Sequence, residues 1–327
     1  MSELRVGTAV AAPGTRAFGA IEVTNHPGGG AVEIPVILVR GSEPGPVLWI
    51  DACIHGDEPI GALSVIRLTR KLDPEALRGA VVAVPAMNLP GLEAASRGNP
   101  LDPFAYDMNR IYPGKPDGRL TERLAWAHKD ALEATADLEI SIHSGGSHSY
   151  LSSTLFCGGD DASVELGKAM GRGWSLILLS PHVSGSPMAV MLEKGGAAIS
   201  IELGGMCTTL PDEIWANTDK MVGAFENILR HYVMLDGEPH YEERWRKGHQ
   251  EAVLANHGGL WMPARGVRFQ EPVKEGEVVG RIMDVHGNVL EEVKTPSDGE
   301  IFGLRTLPTV RTGEWVLFFV HQDGMID

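Results

Sequence analysis

Cysteine and long apolar runs are both scarce in this sequence. The 327 residues include only three cysteines, Cys53, Cys157 and Cys207. Three widely spaced cysteines form neither a disulfide framework nor a Cys-x-x-Cys zinc knuckle, so we expect small buried residues in a reducing cytoplasm. The absence of any run of about 18 apolar residues predicts that there is no transmembrane helix. The N-terminal segment also lacks the basic start and apolar centre of a signal peptide.

Positive charge is also in short supply. The chain has 28 basic and 43 acidic residues, which gives a formal net charge of −15, and its lysines and arginines form no stripe. Nucleic-acid binding and attraction to anionic membranes both need a basic surface, so we expect neither partner. The hydrophobic and charged fractions, 43% and 22%, are those of an ordinary globular protein. The length suggests about two domains.

Strand-like and helix-like segments alternate through the first 235 residues. The predicted strands span residues 19–23, 31–39, 46–54, 80–84, 138–143 and 197–203, and the predicted helices span residues 59–72, 121–135, 162–170 and 211–235. This alternation indicates an α/β domain, residues 1–235, with a mixed, mostly parallel sheet and helices on both faces. Residues 88–116 are irregular, and a loop of that length inside a domain is usually functional.

The pattern changes after residue 235. Closely spaced short strands and Gly-containing turns predict a small all-β domain over residues 236–327. Its glycine spacing resembles the barrel-sandwich fold of biotinyl and lipoyl carrier domains. The candidate turn, residues 286–288, has no lysine, and Lys294 lacks flanking methionines, so no carrier function is predicted. We expect this domain to narrow an active-site entrance or to build an interface in a homo-oligomer.

Two predicted strands lead directly into histidine. One is followed by His55-x-x-Glu58 and the other ends at His143. Ligands of open α/β sheets gather at the carboxyl ends of strands, and two histidines with one carboxylate match a catalytic zinc site with a fourth position for water. A His-x-x-Glu pair alone more often forms a surface ion pair. His148 and His182 are either pocket residues or, more often in such loops, ordinary polar residues.

Five motifs then occur in an order typical of one family. They are His55-Gly56-Asp57-Glu58, Asn88-x-Pro90-Gly91, Asp107-x-Asn109-Arg110, the strand ending in His143, and Ile201-Glu202-x-Gly204. In order and rough spacing they resemble the succinylglutamate desuccinylase/aspartoacylase family, a branch of the zinc carboxypeptidase A superfamily. The resemblance covers about residues 40–235 and implies a zinc carboxypeptidase-like fold.

The resemblance also implies roles for individual residues. His55, Glu58 and His143 match the ligands of one Zn²⁺ per chain. Glu202 matches the carboxylate that acts first as general base and then as general acid. Asn109 and Arg110 match the pair that binds the substrate carboxylate, and Arg97 lies roughly where the family has the arginine that polarises the scissile carbonyl. The site residues implied in this way are His55, Glu58, Arg97, Asn109, Arg110, His143 and Glu202.

Such a residue set supports hydrolysis of an amide. Zinc lowers the pKa of bound water to about 7, a carboxylate moves the proton to the leaving amine, and arginine binds carboxylates with a planar fork. Glu202 as a core ion pair and Arg110 as a structural residue are the alternatives. Ser144 follows His143, but there is no Gly-x-Ser-x-Gly elbow to indicate a serine nucleophile.

We therefore predict a zinc-dependent amidohydrolase acting on a small N-acyl amino acid or related amide. The net charge of −15 favours a neutral or cationic amino acid over a dicarboxylic one. Family members of similar length and layout include N-acetyl-diaminobutyrate deacetylases. The alternatives are a metallocarboxypeptidase, a broader xenobiotic amide hydrolase and, least favoured, an inactive binding protein on the same scaffold.

Overall fold

The computed structural model describes residues 2–179, 184–205 and 210–326. Within these ranges no helix is both long and apolar enough to cross a membrane. Cys53 and Cys157 are buried free thiols, as predicted, whereas Cys207 and His182 lie outside the described residues. Burial raises the pKa of Cys53 to about 12 and that of Cys157 to about 11, so both thiols stay protonated.

The described residues form eighteen strands and six α-helices. The strands are β1 (Leu4–Val6), β2 (Ala9–Ala11), β3 (Thr15–Asn25), β4 (Ala31–Arg40), β5 (Glu43–Ala52), β6 (Arg78–Val84), β7 (Leu138–His143), β8 (Ser149–Cys157), β9 (Leu176–Leu179), β10 (Ala197–Gly204), β11 (Trp245–Leu254), β12 (Gly259–Pro263), β13 (Pro272–Val273), β14 (Val278–Met283), β15 (Val289–Lys294), β16 (Gly299–Arg305), β17 (Thr309–Val310) and β18 (Trp315–Ile326). The α-helices are α1 (Ile60–Lys71), α2 (Leu89–Glu93), α3 (Leu120–Thr135), α4 (Asp161–Lys168), α5 (Pro187–Lys194) and α6 (Pro211–His231).

A twelve-stranded sheet in the order β13-β16-β18-β11-β9-β8-β10-β7-β5-β6-β4-β3 forms the centre of the molecule. The four neighbouring strands β10, β7, β5 and β6 are parallel to one another, and β8 and β4 flank them with antiparallel pairing. The predicted α/β class is confirmed, with parallel pairing concentrated where the sheet is covered on both faces. Apolar residues predominate in buried parallel strands, which is why these strands are recognisable from the sequence despite polar positions such as Glu139 and Ser141.

Helices cover both faces of this sheet. Alternate residues of β5 enter the two cores, because successive side chains of a strand point to opposite faces. Ile50 packs in the core beneath α1, α4 and α6, and Trp49 packs in the core beneath α3 and α5. The prediction of helices on both faces is therefore confirmed.

The last predicted helix is four residues too long. The sequence pattern extends it to residue 235, but α6 ends at His231. Val233 adopts a left-handed φ of 56°, and the N–H of Met234 bonds back to the carbonyl of Leu229 at 2.7 Å. Glycine usually forms helix-ending turns of this kind, so the end of α6 is not recognisable from the sequence.

The chain after residue 235 forms a β region that contributes to two sheets. Strands β11, β13, β16 and β18 extend the central sheet, with β11 parallel to β9 and β16 antiparallel to β8. Strands β15, β14, β12 and β17 form a separate four-stranded sheet. Apolar residues of both sheets, among them Trp261 and Phe319, share one core, which gives the region its sandwich-like character.

Candidate metal centre

The turn after β5 directs His55 and Glu58 to one point. Cys53 adopts a left-handed φ of 52°, which turns the chain out of the sheet. At Gly56 a Cβ atom would lie 1.9 Å from the backbone carbon of Gly91, so only glycine fits there. The N–H of Glu58 donates to the carbonyl of His55 at 3.3 Å and closes a tight turn just before α1.

Strand β7 supplies the third side chain. His143 is the last residue of β7, and the parallel strand β5 places Ala52 opposite Ile142. The two strands therefore end at the same edge of the sheet. The backbone N–H of Ser144 donates to Oε2 of Glu58 at 3.1 Å, which joins the two strand ends.

The three side chains converge in a buried cluster. His55 Nδ1 lies 2.8 Å from Glu58 Oε1, His143 Nδ1 lies 3.1 Å from Glu58 Oε2, and the two Nδ1 atoms are 3.3 Å apart. Each residue is at most 4% exposed. Burial opposes the ionised form of Glu58, but the adjacent imidazoles of His55 and His143 outweigh it and hold its pKa below the usual range.

This donor set fits a divalent metal ion. Two imidazole nitrogens facing each other at 3.3 Å cannot both accept or both donate, whereas a cation between them would be bound by both lone pairs. His, His and Glu with an open position is a typical catalytic zinc set. Among the described residues, His55, Glu58 and His143 are the one group of at least three His, Cys, Asp or Glu side chains this close together.

Asp107 orients two of the functional side chains. One of its oxygens lies 3.2 Å from His55 Nε2, on the side of the ring away from Glu58, and the other accepts from Arg97 Nε and Nη2 at 3.1 and 3.0 Å. A carboxylate behind a metal-binding histidine fixes the ring and its tautomer. Despite partial burial, the hydrogen bond from His55 and the charge of Arg97 lower the pKa of Asp107.

Asp107 belongs to one of the five sequence motifs, but no role was predicted for it. Asp107 caps the short 3₁₀-helix Met108–Arg110, because its carboxylate accepts from the N–H of Asn109 at 3.0 Å. An acidic residue just before such a turn is a sequence feature that could have indicated a structural role. Asn109 Nδ2 lies 3.5 Å from His143 Nε2. Arg110 is exposed and donates to the carbonyl of Asn109 at 2.6 Å.

Glu202 lies on the strand next to β7. In the register of β10 and β7 it is directly opposite His143. Its Oε2 atom is buried and has no hydrogen-bond partner among the described residues. Burial, reinforced by the charge of Glu58 and opposed by that of Arg97, raises the pKa of Glu202 well above its ordinary value. A carboxyl with a raised pKa accepts a proton more readily than an ordinary glutamate and can return it to a leaving group.

All seven residues predicted from the sequence line one cavity of about 690 Å³. They are His55, Glu58, Arg97, Asn109, Arg110, His143 and Glu202. The cavity is also lined by His148 and by the buried Asp57, whose Oδ2 accepts from the N–H of Ser147 at 2.9 Å. The β region after residue 235 contributes further lining residues, namely Gln250, Phe302, Arg305, Glu314, Trp315 and Phe318.

Comparison with known proteins identifies the relatives of this chain. Residues 44–231, more than half of the sequence, match the model of the succinylglutamate desuccinylase/aspartoacylase catalytic domain. The chain belongs to this family. The family membership indicated by the five motifs is therefore confirmed. The matched segment contains all seven site residues that were predicted from the sequence.

Similar proteins include a diaminobutyric acid deacetylase and several solved structures. The N-alpha-acetyl-L-2,4-diaminobutyric acid deacetylase of Halomonas elongata is 29% identical over 303 residues, which cover 88% of this chain and 85% of that protein. A succinylglutamate desuccinylase from a Silicibacter species superposes with a TM-score of 0.82 at 20% identity, covering 98% of this chain and all of the other. The product-bound ectoine utilization protein EutE of Ruegeria pomeroyi gives 0.81 at 22% identity, with 94% of each chain covered. These structures share the fold.

Proposed function

We propose that this protein is a zinc-dependent hydrolase that cleaves the acyl amide bond of small N-acyl amino acids. The observation that carries the proposal is the convergence of His55, Glu58 and His143 at the end of two parallel strands, with Glu202 on the adjacent strand in the same cavity. Membership of a deacylase family and the likeness to a diaminobutyrate deacetylase support the same chemistry.

In the proposed reaction, water adds to the amide carbon and the carbon–nitrogen bond breaks, giving a carboxylic acid and an amine. Held by His55, Glu58 and His143, a zinc ion would supply Lewis-acid polarisation and lower the pKa of water. Glu202 takes a proton from the attacking water and later gives a proton to the leaving nitrogen. Its elevated pKa suits both steps.

The cationic side chains have separate tasks in this scheme. Arg97 lies 3.9 Å from Glu58 Oε1, close enough to the metal ligands to stabilise negative charge that develops on the carbonyl oxygen. Asp107 keeps the guanidinium of Arg97 in place. Arg110, with Asn109 beside it, is exposed to the cavity and would bind the free carboxylate of the substrate.

Amine release from a panel of N-acyl amino acids tests this function. The panel crosses acetyl, succinyl and longer acyl groups with acidic, neutral and basic amino acids, and each reaction is repeated with a chelator and with zinc restored. We expect hydrolysis that the chelator abolishes and zinc restores. Zinc-loaded protein that leaves the whole panel intact, or hydrolysis unaffected by chelation, would contradict the proposal.

A further inference from the structure

Four aromatic rings follow one another along one side of the cavity. The ring centroids of Phe156 and Phe302 are 6.3 Å apart, those of Phe302 and Phe318 are 5.6 Å apart, and those of Phe318 and Trp315 are 3.9 Å apart. All four side chains line the cavity that contains the candidate metal centre. We call Phe156, Phe302, Trp315 and Phe318 the aromatic wall.

The wall begins close to the reacting groups. Phe156 lies on β8, directly opposite Ser200 of β10, and Ser200 is two residues before Glu202 on the same face of that strand. From there the rings continue onto β16 and β18, away from the strands that carry the metal ligands. Phe302 is fully buried, whereas Phe318 and Trp315 are partly exposed.

The charged groups beside the wall are paired with each other. Arg305 Nη2 donates to Oε2 of Glu314 at 2.9 Å, and the same oxygen accepts from the N–H of Arg311 at 2.9 Å. The side chain of Arg305 is 4% exposed and its Nε donates to the carbonyl of Thr309. A charged ligand group at this position would have to compete with these contacts, whereas an apolar group would not.

The cavity therefore has two chemically different sides. One side holds the candidate metal centre with Arg97 and Arg110, and the other side is formed by the aromatic wall. We propose that the aromatic wall binds a phenyl or similarly bulky apolar substituent of the substrate and selects for it. This inference rests on the proposed function and extends it to a substrate class, N-acyl amino acids with an aryl group on the acyl part or on the side chain.

Aromatic pairs prefer offset or edge-to-face contacts at centroid distances of about 4.5–7 Å, so a substrate ring can extend the row of rings. A site that gains such contact discriminates by about 10-fold or more against a substrate that lacks the group. The wall offers no such gain to a substrate with a second carboxylate or with an ammonium group on its side chain.

Kinetics of two substitutions at one tryptophan test the proposal. We expect wild-type protein to hydrolyse N-acetylphenylalanine or N-benzoylglycine with a kcat/KM about 10-fold above that of N-acetylglycine, N-acetylaspartate and N-acetyl-diaminobutyrate. The first two substrates show whether the ring belongs to the side chain or to the acyl group. Trp315→Ala should remove this preference, so that the ratio of kcat/KM for aryl and small substrates falls towards 1, and Trp315→Phe should restore most of it.

Trp215→Ala is the matched control, because Trp215 is exposed on α6, where its ring lies against Arg67. It should leave the preference intact. Equal kcat/KM values for aryl and small substrates, a preference for the ammonium substrate, or a uniform loss across all substrates in Trp315→Ala would each overturn the proposal.

Binding separates failure of this inference from failure of the proposed function. Calorimetry of zinc-loaded protein with N-acetylphenylalanine and with N-acetylglycine, in wild type and Trp315→Ala, requires no turnover. Tighter binding of the aryl ligand that depends on Trp315, without hydrolysis, would support the wall and contradict the hydrolase. Hydrolysis without aryl preference in kinetics or binding would support the hydrolase and contradict the wall.

Discussion

The side chains of the candidate site differ mainly in what surrounds them. Glu58, in the turn before α1, and Glu202, near the end of β10, line the same cavity, yet the pKa of Glu58 is lowered and that of Glu202 is raised. The difference arises because two imidazoles adjoin Glu58, whereas a buried oxygen of Glu202 has no partner among the described residues. One carboxyl is thereby suited to bind a cation and the other to carry a proton.

Glu202→Gln is expected to remove the proton carrier without removing the metal ligands. Turnover should fall by about 100-fold or more, since general acid–base groups typically contribute 10²–10⁴-fold. Zinc content, measured by elemental analysis of purified protein, should stay at the wild-type level. If zinc were lost together with activity, Glu202 would be a ligand instead.

Arg110→Ala is expected to weaken binding of substrates that carry a free carboxylate. KM should rise about 10-fold or more with little change in kcat, because a charge-assisted hydrogen bond contributes about 1.5–3 kcal/mol. Amide analogues of the same substrates, which lack the carboxylate, serve as the control and should show no such difference between variant and wild type. Unchanged KM values for the carboxylate substrates would contradict this role.

At the scale of single elements, two buried acids precede the candidate metal ligands along β5 and β7. Asp51 on β5 and Glu139 on β7 are both fully buried, and none of their four carboxyl oxygens meets the geometry of a hydrogen bond within the described residues. His128 Nε2 lies 3.3 Å from Asp51 Oδ2, and the hydroxyl of Tyr112 lies 3.0 Å from His128 Nδ1. Burial, with a contribution from Asp51, raises the pKa of Glu139 well above its ordinary value.

The raised pKa makes stability depend on pH in a defined direction. Above an ordinary pKa of about 4.3 the unfolded chain ionises Glu139 while the folded protein keeps it protonated, so folding takes up a proton and stability falls as pH rises. Glu139→Gln removes this loss, about 1.4 kcal/mol per pH unit until the folded pKa is reached. The gain in melting temperature over wild type should therefore be larger at pH 8 than at pH 5, and equal gains would contradict the assignment.

The elements themselves were largely predictable from the sequence. β7 spans the predicted residues because Leu138, Ile140 and Ile142 recur at every second position up to the strand end at His143. α6 was predicted too long because Val233 takes a left-handed conformation that its side chain does not favour. The fold around the candidate metal centre could be predicted because His143 ends one recognisable strand, and His55 and Glu58 lie in the turn after another.

At the scale of the whole molecule, the aromatic wall was not predictable from the sequence. Phe156 and Phe302 are brought together by the pairing of β8 with β16, and no local pattern encodes a pairing between segments so far apart. The same applies to the contact of Arg305 with Glu314 beside the cavity. Periodicity identifies strands, whereas their order in a sheet depends on the packing of the entire chain.

Zinc is expected to stabilise the folded protein. The buried cluster of His55, Glu58 and His143 does not exist in the unfolded chain, so zinc held there would bind only the native state. At a free concentration of 100 times its Kd, such a ligand adds about 2.7 kcal/mol to the free energy of unfolding. The melting temperature should therefore rise on adding zinc and fall with a chelator. His143→Ala is the control, and an equal zinc response in that variant would place the ion elsewhere.

Separation of the chain at the predicted boundary tests whether residues 1–235 and 236–327 are independent domains. β11 and β16 pair with β9 and β8, so a protein ending at residue 235 would leave those strands unpaired and one side of the cavity open. We expect the truncated chain to be insoluble or to unfold without cooperativity in circular dichroism. A soluble fragment with a sharp thermal transition would support two autonomous domains.

The last strands of the chain extend the central sheet, so part of the sheet stays incomplete while the protein is being synthesised. Chains leave the ribosome at roughly 5–20 residues per second, so the segment with the metal ligands emerges several seconds before the strand that carries Trp315 and Phe318. During that interval β8 and β9 have edges that only later residues can cover. Unpaired strand edges invite pairing with other chains. The yield of soluble protein should therefore rise at low growth temperature or with chaperones that shield the nascent sheet until β11, β16 and β18 are synthesised.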